Sequence, residues 1–154
     1  MTVKKTLSVG TKIRDFSLKD QNGEIFHLAD LKGKKVLLSF HPLAWTPICS
    51  QQMQSLEKNR KTFDKLNTIG VGISVDSIPC KSAWAKALKI TKTSLLADFW
   101  PHGGVAKLLG ILRQEGISER ANIIVNENGI ISFKKIYPIR ELPDMEEIIE
   151  KLKL

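Results

Sequence analysis

Cysteine is scarce in this chain: Cys49 and Cys80 are the two it carries, and they form no C-x-x-C pair. That excludes a disulfide scaffold, the dithiol motif of C-x-x-C redox proteins and the usual zinc knuckle. Histidine is sparse too. His27, His41 and His102 are scattered without metal-ligand spacing, so no metal or other cofactor is indicated. Long apolar runs are missing as well. The longest lies around residues 36–45, far below the ~20 residues a membrane span needs. The opening segment, Met1 to Gly10, has the basic pair Lys4-Lys5 but no long apolar stretch of the secretory kind. A cytoplasmic protein without membrane attachment is the expectation. No repeat, low-complexity tract or linker interrupts the 154 residues. They suffice for one domain, 1–154, that buries roughly two-thirds of its unfolded surface.

Dense charge of one sign is absent in spite of a net charge of +8, from 24 basic and 16 acidic groups. The lysines are spread over residues 4–5, 32–35, 58–65, 81–92 and 134–135 without interleaved aromatics. Acidic groups gather late, at Glu141, Asp144, Glu146, Glu147 and Glu150. This describes a solvated basic surface rather than a nucleic-acid interface.

What is present is a strand, a loop and a helix start with a cysteine in its first turn. The apolar run Val36-Leu37-Leu38-Ser39-Phe40 leads into Pro42-Leu43-Ala44-Trp45-Thr46-Pro47-Ile48-Cys49. Thr46 is a favoured N-cap and Pro47 suits the first helical position. Cys49 then falls at N3, where the threonine hydroxyl and the unpaired first-turn N–H groups converge near its sulfur. The positive end of the helix dipole favours a thiolate there.

The remaining pattern alternates strands and helices. Asp15–Leu18 and Glu24–Leu28 flank Gln21-Asn22-Gly23, a hairpin signal. From Pro47 to about Leu66 the residues Cys49, Met53, Leu56, Phe63 and Leu66 fall on one helical stripe. Ile69–Asp76 alternates as a strand, with glycines on one face where something packs closely. A helix is predicted from Cys80 to Leu88, a short strand at Leu95–Asp98, and a helix at Val105–Leu109 ending at Gly110. Ala121–Val125 and Ile130–Lys134 flank a second turn, Asn126–Gly129, and Met145, Ile148, Ile149 and Leu152 mark an amphipathic last helix. The fold class is α/β: a mixed central sheet flanked by helices, with an N-terminal β-hairpin.

Pro42-x-x-x-Thr46-x-x-Cys49 after a buried strand resembles the active-site signature of the peroxiredoxins, thiol-dependent peroxidases of thioredoxin-like fold. The resemblance extends in order from about residue 8 to the end. It runs through Gly72–Ser77 with Ser82–Ala85, through Leu95–Gly103 with Val105–Lys107, and through Glu119–Asn126 with Gly129 and Ile131. It implies that Cys49 is the peroxidatic nucleophile and that Arg120 is the cation directed at sulfur and peroxide. An ordinary thiol with pKa ~8.5 is brought to ~3.5–7.5 by a helix start and a neighbouring cation. Thr46 Oγ1 and the Cys49 N–H would bind the peroxide oxygens, and Pro42 would shield the sulfenic acid product. The plainer alternatives are a simple N-cap for Thr46 and a surface arginine at position 120.

Cys80 is the implied resolving thiol, closing an intramolecular disulfide with Cys49 that a thioredoxin- or glutaredoxin-like reductant would reopen. The alternative for Cys80 is a buried, inert thiol. Several residues depart from the family pattern. Gln52 stands where many members have glutamate, Gln54 excludes a resolver five residues on, and the tail has no cysteine. The resemblance therefore points to the compact members, one-cysteine or intramolecular two-cysteine enzymes, often homodimers. His41 and Asn126 replace an aromatic and an aspartate and receive no catalytic role, and Trp45, Trp84 and Trp100 are expected in packing or pocket walls. Rival readings are a thiol–disulfide oxidoreductase, which would leave the Pro, Thr and Arg set unexplained, and a redox sensor or holdase chaperone using the same cysteine.

Overall fold

The computed structural model describes residues 8–154; the Lys4-Lys5 pair of the opening segment lies outside the described residues. Ser17–Lys19 (β1) and Ile25–His27 (β2) form the expected antiparallel hairpin. Gly23 takes a φ of 78° in the turn between them, a conformation glycine adopts without Cβ strain. A 3-10 turn, Leu28–Leu31, which the sequence pattern did not show, tucks Leu28 into the core.

Lys35–Phe40 (β3) is the middle of the fold. It runs parallel to Thr68–Ser74 (β4) and antiparallel to Arg120–Val125 (β6). With Ser94–Ala97 (β5) and Ile131–Tyr137 (β7) the order becomes β2-β1-β5-β4-β3-β6-β7. Because β3 is covered on both faces, it reads as a continuous apolar run rather than an alternating one. Val36, Leu38 and Phe40 join one core cluster, with Val105, Ala106 and Leu109. Leu37 joins the other, with Cys49, Met53, Leu56, Trp84 and Ile148.

The helices are Pro47–Lys58 (α1), Arg60–Lys65 (α2), Ile78–Leu88 (α3), Gly104–Leu108 (α4) and Met145–Leu152 (α5). Three of the expected boundaries shift. The single helix expected from Pro47 to Leu66 is two, because Asn59 leaves helical geometry at φ −95° and ψ 9° between α1 and α2. α3 begins two residues before Cys80, capped by Ser77 Oγ, which accepts from the Cys80 N–H. β7 continues to Tyr137, since its antiparallel pairing with β6 persists as far as Arg120 opposite Tyr137. The glycines of β4 do admit a close neighbour: a Cβ on Gly72 would stand 2.2 Å from Met53 Sδ, so α1 rests directly on the strand. Among the described residues no helix is long and apolar enough to cross a membrane.

Candidate active site

Strand parity sets which side chains meet. Leu37, Ser39 and His41 follow one another on the α1 face of β3, and on the neighbouring β6 the residues Arg120, Asn122 and Ile124 do the same. Ser39 pairs with Asn122 and Phe40 with Ala121, so Arg120 arrives one step beyond the last pair. That is the end of β3 from which the chain turns into α1. α1 contributes its buried stripe, Cys49, Gln52, Met53 and Leu56, spaced i, i+3, i+4, i+7.

These elements bring Arg120 to Cys49. The guanidinium is nearly buried, at 3% exposure, so the alternative of a surface arginine is excluded. Its Nη1 donates to Cys49 Sγ at 3.3 Å and to Gln52 Oε1 at 2.8 Å, while Nε donates to the Ile139 carbonyl at 2.9 Å. Gln52 is itself fixed, because its Nε2 donates to Ser39 Oγ at 2.7 Å and to the Phe40 carbonyl at 3.1 Å. A buried guanidinium is costly unless its donors are satisfied; here a side-chain amide, a carbonyl and a sulfur share them. The Ile139 carbonyl comes from irregular backbone after β7, which no motif in the sequence marks.

Cys49 is at N3 of α1, with Thr46 as an extended N-cap and Pro47 at the helix start. The Thr46 hydroxyl departs from expectation. It makes no cap bond and donates instead to the Leu43 carbonyl at 2.9 Å. The loop curls tightly there, with Trp45 at φ 72°, and the hydroxyl turns back to the Leu43 carbonyl instead of accepting from a first-turn N–H. The oxygen lone pairs of Thr46 and the first-turn N–H groups are thereby left to a ligand. Pro42 is buried beside the site and Cys49 itself has no exposed surface.

Cys80 occupies N3 of α3 and is half-buried, and both cysteines are free thiols. Its sulfur faces Asp76 Oδ1 at 3.7 Å, and the Trp45 side chain lies beside it and eases its ionisation. Burial, and then the Asp76 charge, push the Cys80 thiol up. Asp76 also accepts from the Ala44 N–H at 2.8 Å and from Ser74 Oγ at 2.6 Å, tying the Pro42–Thr46 loop to the end of β4. Of the three tryptophans Trp84 is core, Trp100, 81% exposed, lines a groove with Ile78, Pro79 and Phe99, and Trp45 is 54% exposed.

Sequence reasoning missed Lys81. It is wholly buried, and its Nζ lies 2.9 Å from Nε2 of the equally buried His41. A signal was available, since Lys81 stands three residues before Trp84 and four before Ala85 on the buried face of α3.

Residues 9–134 match the model of the AhpC/TSA family. The chain is 36% identical over 140 residues to the alkyl hydroperoxide reductase E of Mycobacterium bovis, covering 90% of this chain and 91% of that one. It is 31% identical over 160 residues to peroxiredoxin 2 of Sulfurisphaera tokodaii, covering 99% of this chain and 74% of that one. The crystal structure of Enterococcus faecalis AhpC superposes with a TM-score of 0.87 at 26% identity, covering 97% of this chain and 92% of that one.

Proposed function

The chain belongs to the AhpC/TSA family of peroxiredoxins, thiol-dependent peroxidases of thioredoxin-like fold, and from that premise we propose that Cys49 is the thiol that reduces peroxide. The observation that carries this reading is the Arg120 Nη1 to Cys49 Sγ contact, held from behind by Gln52 and Ile139. A fixed guanidinium at a helix start offers a donor to the sulfur and to an approaching oxygen.

In this reading the thiolate attacks one peroxide oxygen in line, forming an S–O bond as the O–O bond breaks. The electron pair leaves with the alkoxide or hydroxide, which takes up a proton. Thr46 Oγ1, whose own proton is given to Leu43, accepts from the peroxide O–H, and the Cys49 N–H binds the other oxygen. Pro42 limits water access to the sulfenic acid. Both hydrogen peroxide and organic hydroperoxides are within this chemistry.

Cys80 is the proposed resolving thiol: it condenses with the sulfenic acid to a Cys49–Cys80 disulfide with loss of water. What supports this is its place at the start of the adjacent α3 and its contact with Trp45, one residue before Thr46. A bridge needs Cα atoms within ~7 Å, so the first turns of α1 and α3 are the segments expected to unwind where they stand further apart. A thioredoxin- or glutaredoxin-like protein then supplies two thiols and returns both cysteines to the reduced state. A homodimer belongs to the same reading, supported by exposed Trp45, Phe99 and Trp100, and sedimentation tests it.

Stopped-flow tryptophan fluorescence with one equivalent of peroxide tests the central claim. Oxidation is expected far faster than that of a free thiol and is expected to vanish in Cys49→Ser. Full thiol-dependent turnover by Cys49→Ser would overturn the assignment. Mass spectrometry after the same pulse is expected to show the Cys49–Cys80 link. Sulfenic acid alone, with unchanged turnover by Cys80→Ser, would make this a one-cysteine enzyme.

A further inference from the structure

A fully buried lysine is rarely idle, because desolvating an ammonium is costly. Lys81 Nζ is bonded not to a carboxylate but to a ring nitrogen, His41 Nε2, at 2.9 Å. His41 Nδ1 donates weakly to the Ser39 carbonyl at 3.4 Å, and its ring lies against Trp84 with centroids 5.2 Å apart. Lys81 Nζ is 5.5 Å from the same indole. Trp84 Nε1 in turn donates to Ser50 Oγ at 3.2 Å, on the residue that follows Cys49. The Lys81–His41 pair is therefore built into the wall between the end of β3, the first turn of α3 and the first turn of α1.

The charges around this wall fall into two groups. Asp76, Cys49 and Asp98 favour the charged lysine, Cys80 stays protonated, and Arg120 disfavours a charged His41. Asp76 is already engaged by Ser74, Ala44 and Cys80. Asp98 is engaged by the Val105 and Ala106 N–H groups at 3.0 and 2.9 Å. Cys49 differs from both because its charge disappears during the reaction. Burial pushes Lys81 down to about 7 and holds His41 well below the ordinary imidazole range, with Lys81 adding to that depression. The proton of the pair accordingly resides on Lys81, and neutral His41 accepts it at Nε2.

Resting on the assignment of Cys49 as the peroxidatic thiolate, we propose that Lys81 is a proton-exchanging positioning residue of the peroxide site: its ammonium balances the thiolate and gives up a proton once oxidation removes that charge. The step balances. Thiolate, ammonium and hydroperoxide become sulfenic acid, neutral amine and alcohol. Sulfur loses two electrons, the O–O bond accepts them, and the proton on the departing oxygen is matched by the one Lys81 gives up. Arg120 cannot serve this purpose, since a guanidinium keeps its proton throughout.

Proton stoichiometry tests this directly. Reduced protein in weakly buffered solution near pH 7 is mixed with one equivalent of hydrogen peroxide beside a pH-indicating dye, and Cys49 oxidation is counted by mass spectrometry in the same samples. Lys81→Arg, which keeps a cation but cannot release its proton, is expected to take up about half a solvent proton more per oxidised Cys49 than the wild type, since a group titrating at about 7 is half protonated at this pH. Equal uptake by the two proteins overturns the proposal. Absence of Cys49 oxidation in the wild type instead overturns the assignment on which it rests. Should Lys81→Arg fail to fold, NMR titration of the Lys81 ammonium in the wild type decides. Its apparent pKa is expected to fall by about one unit or more between the reduced and oxidised protein, and an unchanged value overturns the proposal.

Discussion

Asp76 Oδ1 lies 3.7 Å from Cys80 Sγ, so the second thiol of the chain faces a carboxylate where the first faces a guanidinium. Both cysteines hold N3 of a helix behind a Thr or Ser cap. The helix start is therefore common to both, and the tertiary partner separates them. Burial and Asp76 push the Cys80 thiol up, which keeps it protonated at neutral pH. Asp76→Asn removes the charge while retaining an acceptor for Ser74 and Ala44. Alkylation of Cys80 by iodoacetamide at pH 8 is expected to rise about 3- to 10-fold, since each pKa unit is about tenfold in thiolate. Peptide mapping measures it, and an unchanged rate would show that burial alone holds the thiol protonated.

Gln52 determines where Arg120 points, because its amide joins the guanidinium to the end of β3. Gln52→Met keeps the volume and removes both roles, leaving the Phe40 carbonyl and one Arg120 N–H short of partners. A loss of about 1–3 kcal/mol in urea unfolding is expected. Cys49 oxidation is expected to slow by at least about tenfold, which is 1.4 kcal/mol at the barrier. Stopped-flow fluorescence separates the two effects, since a purely structural Gln52 would lower stability and leave the oxidation rate of folded protein intact.

The contact of α1 with β4 is as specific. A methyl on Gly72 would collide with Met53 Sδ and press on Leu95 Cδ2 at 3.2 Å. Gly72→Ala is expected to cost about 1–3 kcal/mol through overpacking. Met53→Ala opens space at the same point, so in that background Gly72→Ala is expected to cost clearly less. Chemical denaturation of the four proteins of the cycle measures the coupling, and simple additivity would place the strain elsewhere.

Periodicity and turn chemistry exposed much of this architecture in advance. The hairpin at Gly23, the two-faced apolar β3, the helix start at Pro47 and the glycines of β4 each leave a local mark in the chain. The Arg120 contact was legible only through the family motif, because strand parity says which face a side chain takes and not which helix lies above it. The Thr46 hydroxyl bond and the Ile139 carbonyl could not be read, since both depend on how irregular backbone curls. Asn59 breaks a helix that the apolar stripe carries straight through to Leu66, a reminder that periodicity registers a face and not the continuity of a helix. Lys81 was visible as a polar residue on an apolar stripe, yet its partner His41 lies forty residues away in another element.

Glu57 supplies the pH dependence of stability. Its carboxylate clamps the segment before β5, with Oε2 accepting from the Thr91 N–H at 2.8 Å and Oε1 from the Thr93 N–H and Oγ1 at 2.9 and 2.8 Å. Burial raises its pKa, but the Thr91, Thr93 and Lys92 hydrogen bonds together overcome this and hold it at about 2. A carboxyl depressed in the folded state stabilises above its unfolded pKa, near 4.5, and loses that contribution as pH falls toward 2. Glu57→Gln, which keeps one acceptor and adds donors that face N–H groups, is expected to lower stability by about 1–2 kcal/mol at pH 7. The deficit is expected to shrink steadily between pH 4.5 and 2, where the wild type loses the same charge. Urea unfolding of both proteins at pH 7, 4 and 2.5 measures it. A deficit that stays constant across that range would mean the clamp acts through shape and not through the carboxylate.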